Sequence, residues 1–398
     1  MDMNEFKAKW KSCFVNGDIH LHGYSYPVKQ EEITALPSNL HVTRKMTSGV
    51  NGANTYEGGS LGIFNLPDLA EIPEGVRADD SFDVHYCHSL TTLPLSINPA
   101  RQIGVRHCNS FEKFPAGNYR AAYIGLEDLP KLNSISSGLK TNGDLLIRRC
   151  PSLASLSNIE AWNRLVISEC EGLKAIGHEV KTGVLIVTAS PNLESLPDDI
   201  DQTVSVGLIV NGATKLPALP SVNPDWTTLD MSGCTGLINV PDQIALRSGN
   251  ARLNLSGCSS LENFPHKMIA SEIDITGCTA VREITGTVKS KILEAGGCSS
   301  LTRLPDDMAI TWTLNLSQCN SLTELPNNLH VGGSLILRGT GVRELPHDLS
   351  LGDNAWVDVR DCDGIRIPQE LIDSGNVRLM LPGSYEVIPA REVDHPAP

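Results

Sequence analysis

The sequence predicts a β-solenoid. Three observations carry that expectation: a unit of about 21 residues recurs through most of the 398-residue chain, each unit holds a short hydrophobic-x-hydrophobic segment, and a small residue, most often Cys, follows that segment at a fixed distance. Strict alternation is strand periodicity, which sends alternate side chains into a core and the residue between them to the opposite face. One such strand cannot hide its apolar side alone, so successive coils are expected to stack into a parallel sheet. A Pro after the next apolar residue, as in Val240-Pro241, Phe264-Pro265, Leu304-Pro305 and Leu325-Pro326, removes a backbone donor and blocks helix. The outer arm of each coil should therefore be extended or polyproline-like, with short turns.

Five segments show the unit plainly: Leu229-Asp-Met-Ser-Gly-Cys234, Leu253-Asn-Leu-Ser-Gly-Cys258, Ile273-Asp-Ile-Thr-Gly-Cys278, Leu293-Glu-Ala-Gly-Gly-Cys298 and Leu314-Asn-Leu-Ser-Gln-Cys319. With the Cys as marker, the frame runs through Leu66, Cys87, Cys108, Leu129, Cys150, Cys170, Ser190, Ala213, those five, Thr340, Cys362 and Ser384, which makes sixteen coils. The chain then divides into an N-terminal cap (1–18), degenerate first repeats and a loop (19–60), the repeat array (61–390) and a tail (391–398). In the cap, Phe6, Trp10, Cys13 and Phe14 fall on one face of a short helix, which would cover the open end of a solenoid. Ile19-His-Leu21 with Ile33-Thr-Ala-Leu36-Pro37 reads as a degenerate coil. Residues 43–59 are rich in Gly, Asn and Ser and leave open a coil or a mobile loop.

Composition narrows the chemistry. A formal charge of −14 disfavours a phosphate backbone, which needs clustered Lys and Arg, so no nucleic-acid partner is expected. No run of about 18 apolar residues predicts membrane insertion, and the N-terminus lacks the apolar core of a Sec signal peptide. Ten of the eleven cysteines, Cys87, Cys108, Cys150, Cys170, Cys234, Cys258, Cys278, Cys298, Cys319 and Cys362, occupy the marker. They read as a structural ladder of small buried thiols. No close C-x-x-C pair suggests zinc, and neither metal nor cofactor is expected. A file of reduced thiols favours a cytosolic setting. No phosphate-binding Gly loop, H-E-x-x-H or G-x-S-x-G occurs, so the chain reads as non-catalytic.

The Leu-Pro-x-x-Leu outer arm (Leu196-Pro-Asp-Asp-Ile200, Leu325-Pro-Asn-Asn-Leu329, Leu345-Pro-His-Asp-Leu349) resembles that of bacterial leucine-rich-repeat proteins, in particular the repeat domain of IpaH/YopM-type secreted effectors. The Leu-Ser-Gly-Cys-Ser-Ser-Leu version at 255–261 also resembles the repeats of plant intracellular immune receptors, whose units are longer. The resemblance covers about residues 15 to 390 and implies a leucine-rich-repeat solenoid with a curved parallel sheet on its concave face. It implies a scaffold delivered into a host cell by a specialised secretion system, or else kept in the cytoplasm. The ubiquitin-ligase members carry a catalytic domain after the repeats, and here the repeats run almost to the last residue, so the expectation is a member without it.

The frame also lists the concave face. Four residues before each marker stand Leu146, Val166, Ile186 and Ile209, an apolar stripe with Arg106 and Arg148 beside it. Asp230, Asn254, Asp274, Glu294 and Asn315 follow, an acidic and amide run. An apolar patch rimmed by charge marks a protein interface, so the expected partner is a protein, host-derived in the effector reading, with an apolar anchor and a basic segment. Self-association stays open. Two alternatives remain: a substrate-recognition subunit for a catalytic partner such as a ubiquitin ligase, and a phage- or surface-associated ligand-recognition protein. A carbohydrate ligand would call for aromatic platforms on the concave face, and the central file has none; Tyr123 and Trp356 flank it far apart.

Overall fold

The computed structural model describes residues 3–9, 14–15, 18–22, 36–43, 45–48, 54–373 and 378–389. They form two compact units, Met1–Ser205 and Val206–Pro398, each a solenoid stack of parallel coils. In the first unit eight strands follow one another in parallel register: Asp18–His22, Leu61–Phe64, Ser81–His85, Gln102–Arg106, Tyr123–Glu127, Asp144–Arg148, Ile159–Ser168 and Val180–Thr188. The second unit stacks nine in the same way, from Val204–Asn211 to Arg378–Met380.

Alternation does the sorting along each strand. Leu145 and Ile147 are fully buried while Leu146 between them is half-buried, and Leu253 and Leu255 bracket Asn254 in the same manner. Because each coil's apolar pair packs on the next, the core is one continuous file per unit, closed in places by larger rings: Phe82, Phe111 and Phe114 in the first unit and Trp226 in the second are fully buried. The outer arms are extended, with two-residue parallel strands such as Lys113–Phe114 beside Ser134–Ile135 and Ser155–Leu156 beside Ala175–Ile176. Helix is confined among the described residues to Met3–Lys9, Ile200–Thr203 and Gln369–Asp373, and no helix there is long and apolar enough to cross a membrane.

The N-terminal cap differs from its sequence expectation. The helix spans Met3–Lys9 with Phe6 buried, but Phe14 is not on it. Phe14–Val15 pairs antiparallel with Asp18–His22, so edge pairing supersedes the helical periodicity of residues 4–14. Trp10 and Cys13 lie outside the described residues, as does the 391–398 tail. The stretch 43–59, left open between a coil and a loop, contains an antiparallel pair, Lys45–Ser48 with Asn54–Glu57.

The ten marker cysteines of the array are free and buried. In the first unit the thiol donates to the carbonyl two residues back in its own coil, as Cys108 Sγ does to Arg106 O at 3.3 Å and Cys150 Sγ to Arg148 O at 3.4 Å. In the second unit it reaches the preceding coil at closer range, as Cys258 Sγ does to Met231 O at 3.2 Å and Cys278 Sγ to Leu255 O at 3.1 Å. At two of the other markers a hydroxyl takes the role, Ser190 Oγ donating to Thr188 O at 3.2 Å and Thr340 Oγ1 to Leu337 O at 2.8 Å, while Leu66, Leu129 and Ala213 fill the corner with apolar side chains. Burial pushes the Cys87 and Cys278 thiols up to about 12, since a thiolate at either place would lose hydration without gaining a cation.

Candidate partner-binding faces

In the first unit the open face of the sheet changes character along the stack. Gly104 and Gly125 are Cα partners, and the Tyr123 ring lies across the second of them, 2.8 Å from where a Cβ would stand. Beyond Gly125 the file becomes apolar: Gly125, Leu146, Val166 and Ile186 are successive partners, and the last three are half-buried. Ile209 belongs to the second unit, where it opposes Asp230.

Arg106 and Arg148 stand beside this file, but they are not bare rim cations. Each meets a carboxylate one coil on: Arg106 Nε donates to Glu127 Oε1 at 2.7 Å, and Arg148 Nη2 lies 2.7 Å from Glu169 Oε1. Glu127 is in reach because the ~4.8 Å coil step brings residues of the same row alongside, while Glu169 stands one residue past Ser168, the Cα partner of Arg148. A second row runs one residue later. There the Tyr86 ring stacks on His107 at 4.6 Å and 8°, His107 Nδ1 approaches Asp128 Oδ2 at 3.4 Å, and Asp128 accepts from both Arg149 Nε and Arg149 Nη2. The Arg149 hydrogen bond holds the Asp128 carboxyl below its ordinary range. His85 is held below its ordinary value by burial first and by neighbouring Arg106 second, whose Nη1 lies 3.4 Å from His85 Nε2.

The second unit's face is polar. Asp230, Asn254, Asp274, Glu294 and Asn315 are successive Cα partners. With Thr228, Arg252, Glu272 and Ile292 the first four line a groove of about 370 Å³. Four of these five residues also hold the backbone. Asp230 Oδ1 accepts from Ser232 N, Asn254 Oδ1 from Ser256 N, Asp274 Oδ1 from Thr276 N and Asn315 Oδ1 from Ser317 N, at 2.9 to 3.0 Å. These are Asx turns, in which a short side chain mimics a backbone acceptor and ends the strand. Glu294 is the exception: one methylene longer, it accepts from Asn315 Nδ2 at 2.7 Å instead. Glu272 is paired with Arg252 at 2.6 Å.

Sequence reasoning therefore placed the file but missed two roles within it. The signal for the turns is present in Asp-x-Ser-Gly-Cys and Asn-x-Ser-Gly-Cys, where Asx two residues before a hydroxyl and three before Gly is turn chemistry. The partner of Arg106 was legible as Glu127 in the next coil of the same row, whereas that of Arg148, Glu169, stands one residue past the row position held by Ser168. Among the described residues no group of three or more His, Cys, Asp or Glu is placed to hold a metal ion. A larger cleft, about 590 Å³, is lined by residues between Ile284 and Lys289 and between Arg303 and Ala309, where outer arms run into the next strands.

No protein-family model and no curated protein matches the chain. Among solved structures it is similar to a leucine-rich repeat protein from Bacteroides ovatus ATCC 8483, at 16% identity over 85% of this chain and 90% of that one, with a TM-score of 0.44.

Proposed function

We propose that the chain is a non-catalytic protein-recognition scaffold of the bacterial effector kind, resembling the IpaH/YopM repeat domains, and that it works in a host cell. The observation that carries the reading is the three-coil apolar file Leu146, Val166 and Ile186 on an otherwise polar open face. Apolar side chains left half-exposed on consecutive coils, with charged pairs beside them, give a dry centre and a polar rim. The occupant is an apolar anchor of a protein partner. On the second unit, the carboxylates of Asp230, Asp274 and Glu294 around one groove suit a basic segment, by electrostatic complementarity.

Co-precipitation from host lysate and from the producer's own lysate tests this, with single substitutions chosen to spare the fold. Ile186→Asp puts a charge into the apolar file. Asp274→Asn and Glu294→Gln remove charge while keeping the turn and the Asn315 hydrogen bond. A host protein captured by the wild type, lost with Ile186→Asp and weakened by the two neutralising changes, is the expected result. A partner retained equally by all three variants refutes the mapping.

A further inference from the structure

The second unit carries a pair of exposed tryptophans that the repeat frame hides. Trp312 is 56% exposed and Trp356 45% exposed. Trp312 sits at an irregularity: Ser290 opposes Ile310 and Ile292 opposes Thr313, so Thr311 and Trp312 together face Lys291. An extra residue of this kind re-aims a side chain, and here it brings an indole outward. Lys291 Nζ lies 5.6 Å from the Trp312 ring centroid and is itself tied to Gly249 O at 3.1 Å, which fixes the ring from one side.

Between the two indoles the ground is set with hydroxyls and cleared of bulk. Thr313 is the Cα partner of Ser334, and Ser334 of Trp356. Two coil steps therefore separate the tryptophan backbones, about 10 Å at the usual strand spacing. The coil between them contributes Gly332 and Gly333; a Cβ on Gly333 would stand 2.6 Å from Trp312 O, so no side chain can rise there. Thr313 and Ser334 are half-buried, and their hydroxyls have no hydrogen-bond partner within the described residues.

We infer that Trp312 and Trp356, with Thr313 and Ser334 between them, form a binding platform for a neutral, β-linked pyranose chain. The apolar C–H face of a pyranose ring stacks on an indole, whose face is electron-rich, and the equatorial hydroxyls at the ring edge meet Thr and Ser. The two-step spacing is comparable with the repeat of two pyranose rings in an extended glycan, so alternate rings would stack and the ring between them would bond to the hydroxyls. The net charge of −14 favours a neutral chain over an anionic one. The site is separate from the apolar file of the first unit and stands or falls independently of it.

Titration of the full chain with cellohexaose, chitohexaose and xylohexaose, followed by calorimetry and by tryptophan fluorescence, tests the platform. Binding of at least one hexasaccharide is expected, weakened roughly tenfold or more by Trp312→Ala and by Trp356→Ala, largely retained by Trp312→Phe and untouched by Trp162→Ala, with the far-ultraviolet circular dichroism unchanged throughout. Flat titrations with all three sugars overturn the inference, as they would if the indoles served a protein partner. So does binding that survives the Trp312→Ala, Trp356→Ala double substitution.

Discussion

The two units turn the chain after each strand with the same backbone and different chemistry. From Leu66 to Cys362 the residue just before each marker has a positive φ, and most of these residues donate a backbone N–H to the next coil: Tyr86 N to Arg106 O and His107 N to Glu127 O in the first unit, Gly233 N to Ser256 O and Gly257 N to Thr276 O in the second. In the second unit that position is mostly glycine, at Gly212, Gly233, Gly257, Gly277, Gly297 and Gly339, where the left-handed region costs nothing sterically. In the first unit it is Asn65, Tyr86, His107, Asp128, Arg149, Glu169 and Ala189. A side-chain-bearing residue in this region costs roughly 1–2 kcal/mol, and five of these side chains are joined in the Tyr86-to-Glu169 row. Where the second unit minimises strain and lets Asx turns end three-residue strands, the first keeps side chains at the corner and runs five-residue strands such as Asp144–Arg148. Strain held across consecutive coils points to a surface kept for use.

The largest expected effect tests what the two units share. Buried thiols raised from 9.0 to about 12 at Cys87 and at Cys278 remain protonated when folded and ionise earlier when unfolded. A raised folded-state value means the stabilisation is intact below about pH 9 and is lost as pH rises toward about 12. At about 1.4 kcal/mol per pH unit for each such thiol, several thiols together should bring alkaline unfolding within that window. Urea melts from pH 7 to 11, with thiol-reagent labelling of the native protein at pH 8, measure it; labelling of one unit's cysteines at pH 8 would mean that the corner difference extends into the core.

Gly257→Val comes next. Its φ is +72° with ordinary clearance, the nearest atom to a Cβ being 3.6 Å away, so the cost is backbone strain on a β-branched residue, about 2–3 kcal/mol. A loss below about 0.5 kcal/mol in urea would remove the strain argument from both units. Asn254→Ala should cost about 1 kcal/mol by deleting the Asx acceptor of Ser256 N, similar to losing a helix cap, whereas Asn254→Asp should be close to neutral. Equal losses from the two would mean that the turn does not depend on the side-chain oxygen.

How much of this was legible follows from what fixes each feature. The frame alone placed Leu146, Val166 and Ile186 in one file, because the marker recurs at a nearly constant interval and parallel stacking converts interval into register. It could not place Trp312, since the irregularity at Ser290/Ile292 moves that residue out of frame, and a search of central positions passes over it. It extended the N-terminal helix to Phe14 because periodicity carries no knowledge of an adjacent strand edge. The Tyr86-to-Glu169 row was hidden for another reason: propensity assigns Gly or Asn to a left-handed corner, and Tyr, His, Arg and Glu there become recognisable only when φ is known.

The smallest effect discriminates best between strain kept for contacts and strain merely tolerated. Ala189 occupies the corner with φ +48° and has no functional group to contribute. Ala189→Gly should therefore relieve about 1–2 kcal/mol of strain and give back about 0.5–1 kcal/mol to the greater freedom of glycine in the unfolded chain. The net expectation is stabilisation by about 0.5–1 kcal/mol. Arg149→Gly relieves the same backbone but loses the bonds from Arg149 to Asp128 and leaves Glu169 with fewer cations nearby, so its gain should be smaller than that of Ala189→Gly and should grow in high salt, where the wild-type pair is screened. Matched urea melts at low and high ionic strength read both. If Arg149→Gly stabilises as much as Ala189→Gly at low salt, the row contributes nothing to the fold that offsets its strain, and recognition becomes the remaining physical reason for side chains at that corner.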